Sequence, residues 1–224
     1  MILAVPTCAP KRSIAVLPFD TLAHGRSGTY FADGVQDEIL SNLAKVSQLK
    51  VISRTSVMTF RPGDNRNLRS IAESLGVANV VEGTVRRDGN RVRITIRLVD
   101  ARTDKALWSE RYDRDLKDIF AIQSEVAQIV ASKLSARLSP KEKERIEEKP
   151  TDKLEAYDLY LRAKKLFVSV RVSMNLGNVE KPLVDAIDFL EQAVRLDPKF
   201  TLAYCASAQA TCPKFAWYTQ SVST

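Results

Sequence analysis

The stretch GTVRRDGNRVRITIRLVDA, residues 83–101, restricts the fold more than any other part of the chain. Apolar residues alternate with polar or charged ones on both sides of Asp88-Gly89-Asn90. A period of two sends successive side chains to opposite faces of a strand. Asp88-Gly89 is a strong two-residue hairpin signal. A turn there pairs Val85 with Val92, Gly83 with Ile94 and Val81 with Ile96. One face of the hairpin is then apolar. The other carries Glu82, Thr84, Arg86, Arg91, Arg93 and Thr95. Moving the turn to Gly89-Asn90 changes the register but leaves every residue on the same face. A sheet that is apolar on one side needs a cover, so helices must pack on it.

The flanking sequence supplies them. Phe31, Val35, Ile39, Leu40 and Leu43 follow helical spacing over residues 30–46. Asn65 or Asn67 can cap a helix running through Leu75, with Leu68, Ile71, Ala72 and Leu75 as its apolar stripe and Gly76 at its end. A long helix opens near Asp118 and buries Ile119, Phe120, Ile122, Val126, Ile129, Val130 and Leu134. Residues 13–19, 49–53, 79–85 and 106–113 read as further strands, with Trp108 as the large apolar anchor of the last. The order β-α-β-α-β-β-β-α predicts an α/β (α+β) domain. Its mixed sheet contains an antiparallel meander with helices packed on it.

A length of 224 residues with 45% hydrophobic residues supports such a core and a smaller second unit. Residues 140–153 are charged with little to bury, and read as a linker or helix extension. Helical spacing resumes over 154–167, 183–196 and from 202 onward. The predicted division is an N-terminal extension at 1–11, the α/β domain at 12–139, the charged segment at 140–153 and an incomplete helical region at 154–224.

Two resemblances follow from these residues. The blocks SIAVLPFD, YFADGVQDEIL, VISRTS, IAESLGV and VVEGTVRRDGNRVRITIRLVDARTDKALWSERYDRDLKDIFAIQSEVA occur in order over residues 12–138. Together they resemble the TolB amino-terminal-like domain, which implies an α/β fold and no established catalytic residues. Ala186, Leu190, Ala193 and Pro198 resemble the second helix of a tetratricopeptide (TPR) repeat, with Ala163 at the small position of the first helix. Small residues let helices approach, Leu190 fills the space between them and Pro198 ends the helix. The spacing from Ala163 to Ala186, 23 residues, exceeds that of the motif, which places an enlarged turn within 168–181. These TPR-like helices imply docking of a protein partner or self-association.

Candidate chemistry was weighed residue by residue. The formal net charge of +7 favours solubility and weak attraction to anions. Arg86, Arg91 and Arg93 could contact phosphates. No aromatic residue lies among residues 82–97 for base stacking, and Glu110 or Asp113 can neutralise the arginines, so a solvated face is expected and nucleic acid is the alternative. His24 reads as an ordinary exposed loop residue, and the loop Gly25-Arg26-Ser27-Gly28 lacks the lysine of a phosphate-binding loop. Asp33 and Asp37 share a helix face and are expected to favour the positive helix end rather than hold a cation. No serine or cysteine has a recognisable base partner.

Cys8, Cys205 and Cys212 form no disulfide framework and read as buried or idle thiols. Tyr157, Tyr160 and Phe167 read first as inter-helix packing, with the two tyrosines as interaction candidates. Trp108 and Tyr112 read as sheet packing. The expectation is therefore a protein that is not an enzyme, with no catalytic, cofactor-binding or metal residues and no cofactor. No apolar run is long enough to span a bilayer. The start lacks the basic region of a signal peptide, so a cytoplasmic chain is expected, or a periplasmic one within a longer membrane-anchored parent.

Overall fold

Strand β1 (Ser13–Val16) sits inside a mixed sheet and is buried along its whole length. Parallel partners flank it: β3 (Lys50–Val51) on one side and β4 (Asn79–Asp88) on the other. A two-residue strand, β2 (Asp20–Thr21), continues along β4. From β4 the chain turns into an antiparallel meander with β5 (Arg91–Asp100) and β6 (Lys105–Asp115). The order across the main path is β3-β1-β4-β5-β6. This computed structural model describes residues 9–21, 29–60, 66–173 and 180–210. His24, the Gly25-Arg26-Ser27-Gly28 loop, Asn65, Cys8 and Cys212 lie outside them.

Helices α1 (Thr29–Ala44) and α4 (Ile119–Lys133) pack together and cover one face. Phe31, Val35, Ile39 and Leu43 of α1 and Ile122, Val126 and Val130 of α4 are buried. Beneath them lie Val81, Val85, Val92, Ile94, Ile96 and Leu98, the apolar side of the hairpin. The short helix α2 (Arg54–Val57) and helix α3 (Leu68–Leu75) cover the opposite face, over β1 and the start of β4. There Ala15, Leu17, Val57, Ile71, Ala72, Val77, Val80 and Ala101 form a second cluster. Asn67 caps α3 by accepting from the Ser70 amide at 3.0 Å, and Gly76 closes it in the left-handed region. The sheet is thus covered on both faces at its parallel end. Along the meander only one face is covered.

Three details differ from the sequence reading. Val85 faces Ile94 and Asp88 faces Arg91, so the turn falls on Gly89-Asn90, one residue later than Asp88-Gly89. Gly89 holds the positive φ, +55°, at the first central position, where a type II′ turn requires glycine. The faces are unchanged, but Arg86 now stands opposite Arg93. Trp108 is only half-buried, and Tyr112, at 2% exposure, is the buried aromatic of β6. The charged segment after residue 139 forms helix α5 (Pro140–Glu147), with a capping box between Ser139 and Glu142.

Helix α5 is tied down by several bonds. The Lys45 ammonium donates to the Arg145 carbonyl at 2.8 Å, and the Ser47 amide donates to Glu142 at 2.8 Å. Ser124 donates to the Ile146 carbonyl at 2.7 Å, and Ile146 itself is fully buried. Contacts divide the chain into two compact units, Met1–Glu148 and Lys149–Thr224.

The second unit contains α6 (Leu154–Ser173), α7 (Glu180–Leu196) and α8 (Thr201–Ala210). Helix α7 packs on both α6 and α8. Phe200 fills the α7–α8 corner, with its ring edge-on to Tyr160 at 5.2 Å. Thr151 donates to Asp197 at 2.5 Å and anchors the entry to α6 against the end of α7.

Gly83 marks a close approach. A Cβ there would lie 2.7 Å from the Thr95 carbonyl oxygen and 3.3 Å from the Phe19 ring. Gly83→Ala is expected to lower unfolding stability by about 1–3 kcal/mol through overpacking. Gly89→Ala meets open space but a left-handed backbone, and is expected to cost about 1–2 kcal/mol. Denaturant unfolding of both variants checks the pair.

Candidate functional site

The uncovered face of the meander carries the arginines. Alternation in the observed register places Glu82, Thr84, Arg86 and Asp88 of β4 beside Arg91, Arg93, Thr95 and Arg97 of β5. Arg111, Asp113 and Asp115 of β6 complete the face. Cations and carboxylates interleave. Asp113 accepts from Arg91 at 2.8 Å and from Arg93 at 3.0 and 2.5 Å. Arg97 lies 3.8 Å from Glu82. Arg86 stands directly opposite Arg93 and has no ionic or hydrogen-bond partner among the described residues. Arg86, Asp88, Arg91, Val92, Arg93 and Asp113 line a shallow cavity of about 280 Å³.

These pairs are exposed, with Arg91 at 63% and Asp113 at 35%. Solvent screens such pairs, so they contribute little to stability. Their clearest effect is on acidity. Hydrogen bonds from Arg91 and then Arg93 hold the Asp113 carboxyl down at about 2. Hydrogen bonds from the Ser47 and Ser139 amides hold Glu142 at about 2 as well.

Behind the sheet, burial raises the Tyr112 phenol, and the carboxylates of Glu125 and Glu110 add to the effect. The Arg114 guanidinium lies 5.5 Å from the Tyr112 ring centroid and 3.3 Å from Glu125. Asp37, expected at the positive helix end, lies beyond the first turn of α1 and pairs with Arg54 at 3.3 Å.

In the helical unit, Tyr157 and Tyr160 are 2% and 6% exposed and stack with ring centroids 6.4 Å apart. Their rings face into that unit. Ala163, Ala186, Leu190 and Ala193 are fully buried, and Pro198 is exposed just after α7. Cys205 is free and exposed rather than buried. Among the described residues, no group of three or more His, Cys, Asp or Glu side chains could hold a metal. No described helix is long and apolar enough to cross a membrane.

Sequence reading did not single out four residues that the structure exposes: Val184 and Leu196 on α7, and Leu202 and Tyr204 on α8. Their apolar character fitted helix packing equally well, and only the coordinates show which side of each helix is uncovered. It also missed the Ser139-x-x-Glu142 capping box, although that signature is visible in the sequence.

A mixed-sheet α+β domain with one uncovered, charge-interleaved face, followed by a helical unit, is the class of protein described here. Residues 10–129 match the family described as HilA/YgeH-like transcriptional regulator, second domain, and the chain belongs to that domain family. A relative in Rhizobium meliloti (strain 1021), named "Putative adenylate cyclase 3", is 37% identical over 201 residues, 90% of this chain and 33% of that protein. The chain therefore spans about a third of the length of that relative.

Among solved structures, TolB from Acinetobacter baumannii is 17% identical with a TM-score of 0.42, covering 55% of this chain and 28% of that one. Lipoprotein GNA1162 from Neisseria meningitidis is 21% identical with a TM-score of 0.41, covering 57% of this chain and 99% of that one.

The pH consequence is testable. A carboxyl held below its unfolded value stabilises the fold fully above that value, and the gain is lost as pH falls through the folded one. For Asp113 and Glu142 that window runs from about pH 4 down to about pH 2. Carboxyl NMR titration should place both midpoints near 2. Asp113→Asn and Glu142→Gln should each flatten part of the loss of stability on acidification across the same window.

Proposed function

We propose that this chain is a non-catalytic protein-interaction and signalling accessory module. The α/β domain, residues 12–139, is the recognition unit, and residues 140–153 join it to helices that dock a protein partner. One observation carries this reading. The exposed large hydrophobic side chains of the described residues, Val184, Leu196, Leu202 and Tyr204, all lie on α7 and α8. We read these four side chains as one apolar contact surface of the kind that marks a protein interaction site.

We read α6 and α7 as one TPR-like repeat and α8 as the start of the next, with Ala163, Ala186, Leu190 and Ala193 at the close-packed positions. Stacked helix pairs of this type present surfaces for peptides or for another copy of the chain. Family membership as a second domain, and a relative three times the length, support a role within a larger regulatory or signalling protein. Its catalytic or DNA-binding part would lie outside this chain. A cytoplasmic setting suits that reading.

A second reading uses the arginine face. The cavity lined by Arg86, Arg91 and Arg93 favours an anion, including a nucleic-acid phosphate. The interleaved Asp113 argues against it, because it already pairs with two of the three cations, Arg91 and Arg93.

Photo-crosslinking from position 184 or 204 of the full chain should capture a defined protein. Leu202→Glu with Tyr204→Glu should abolish that capture while the far-ultraviolet circular dichroism stays unchanged. Capture that survives the double substitution rejects docking through α8. For the second reading, retention on a nucleic-acid column should fall with salt and fall further in Arg86→Ala. Absence of retention at low salt rejects it.

A further inference from the structure

We infer that two copies of this chain associate through the free edge of β6, pairing antiparallel about Tyr112. Strand β6 is 11 residues long and forms one edge of the sheet; among the described residues it pairs with β5 alone. The phase of its backbone is set at its end, where the Leu116 amide donates to the Asn90 carbonyl at 2.7 Å. Residues opposite each other in an antiparallel ladder alternate between bonded and non-bonded pairs. Glu110, Tyr112 and Arg114 therefore turn their backbone groups toward β5. Ser109, Arg111, Asp113 and Asp115 turn theirs away, to the open edge.

An exposed edge is normally guarded against pairing, and charge is one guard. On β6 the charges do more than repel, because their order is self-complementary. With the two-fold axis at Tyr112, Arg111 of one protomer faces Asp113 of its partner, and Asp113 faces Arg111. On the other side of the sheet, Glu110 faces Arg114 in the same reciprocal way. Ser109 faces Asp115. Centring the pair on Glu110, Arg111 or Asp113 instead sets a like-charged pair on the axis, which is unfavourable.

The side chains are at the surface, and Asp113 and Arg114 would share their existing partners Arg91, Arg93 and Glu125. Glu110, Arg111, Asp113 and Arg114 are all exposed. Glu110 and Arg111 have no ion-pair partner within their own chain among the described residues. The proposed register gives each of them one. The same pattern disfavours an apolar or uniformly charged strand, so the edge selects its own copy. An isologous two-fold contact is the commonest oligomeric arrangement. The contact is small compared with the roughly 1,200 Å² of stable complexes, so the dimer is concentration-dependent. It uses the sheet edge, not the helices through which a partner is proposed to dock.

The test is sedimentation velocity of the full chain under reducing conditions, over a wide concentration range, combined with hydrogen exchange. The expected result is a dimer that grows with concentration. The amides of Ser109, Arg111, Asp113 and Asp115 should gain protection in parallel. Arg111→Glu replaces both reciprocal pairs by repulsive ones, and should weaken the dimer by about tenfold or more without changing the melting temperature. Arg111→Pro removes an amide that β5 does not use, and should abolish the dimer in a folded chain.

Leu202→Glu with Tyr204→Glu should leave the dimer intact while removing partner capture, which separates the two ideas. A chain that stays monomeric at every concentration overturns the inference. So does a dimer that persists in both Arg111 variants, or one that forms without protecting those four amides.

Discussion

Strand β1 holds the α/β unit together, because four consecutive residues are buried on both faces and paired at both edges. Such a strand has no side left for water, so every polar atom around it needs a partner. The structure supplies most of them locally, although the Gln36 Oε1 is buried without a hydrogen bond. Gln36 donates to the Val16 carbonyl at 2.8 Å, and Asn79 donates to the Lys11 and Ser13 carbonyls at 2.7 and 3.0 Å. The Ser13 hydroxyl accepts from the Ala78 amide at 2.9 Å. These bonds fix β1 lengthwise between β3 and β4. With β1 fixed, α1 and α4 must lie on one side, and α2 and α3 on the other.

The two ends of the sheet then differ in kind. At the parallel end, helices cover both faces. Along the meander one face and one edge remain open, and there the arginines, the carboxylates and β6 reside. The question raised by the dense arginines of residues 86–97 has an electrostatic answer. Asp113 draws Arg91 and Arg93 together, Glu82 lies near Arg97, and among the described residues Arg86 and Arg111 keep uncompensated charges on that face. The formal charge of the chain is thus not concentrated into one cationic surface. In the helical unit the exposed large hydrophobic side chains among the described residues lie on α7 and α8.

Much of this was legible before any coordinates. Period-two alternation assigned every residue of the hairpin to its correct face, because faces are insensitive to a shift of the turn by one position. Register was not legible to the same degree: Asp88-Gly89 and Gly89-Asn90 both satisfy the pattern, and only the backbone at Gly89 decides. Asn67 and Gly76 announced the ends of α3 through their capping chemistry. Helix α5 was harder to see, since its single buried residue, Ile146, leaves no periodic stripe. Trp108 looked like an anchor by size, yet its place on an edge strand leaves it half in solvent. The salt-bridge geometry of Asp113 needed the cross-strand neighbours, which are distant in sequence. The interaction role of Tyr157 and Tyr160 depended on which way the rings point, and they point inward.

The position of β1 in the chain has a consequence for how the molecule is made. It leaves the ribosome before any of its partners, and the Ser13–Ala78 bond spans 65 positions. The meander can assemble from neighbouring segments, whereas β1 must await loop closures of far greater length. During synthesis the sequence SIAVLPF is therefore an unshielded greasy ribbon until β4 is exposed behind it. Aggregation and chaperone capture of the nascent polypeptide should concentrate at that stretch.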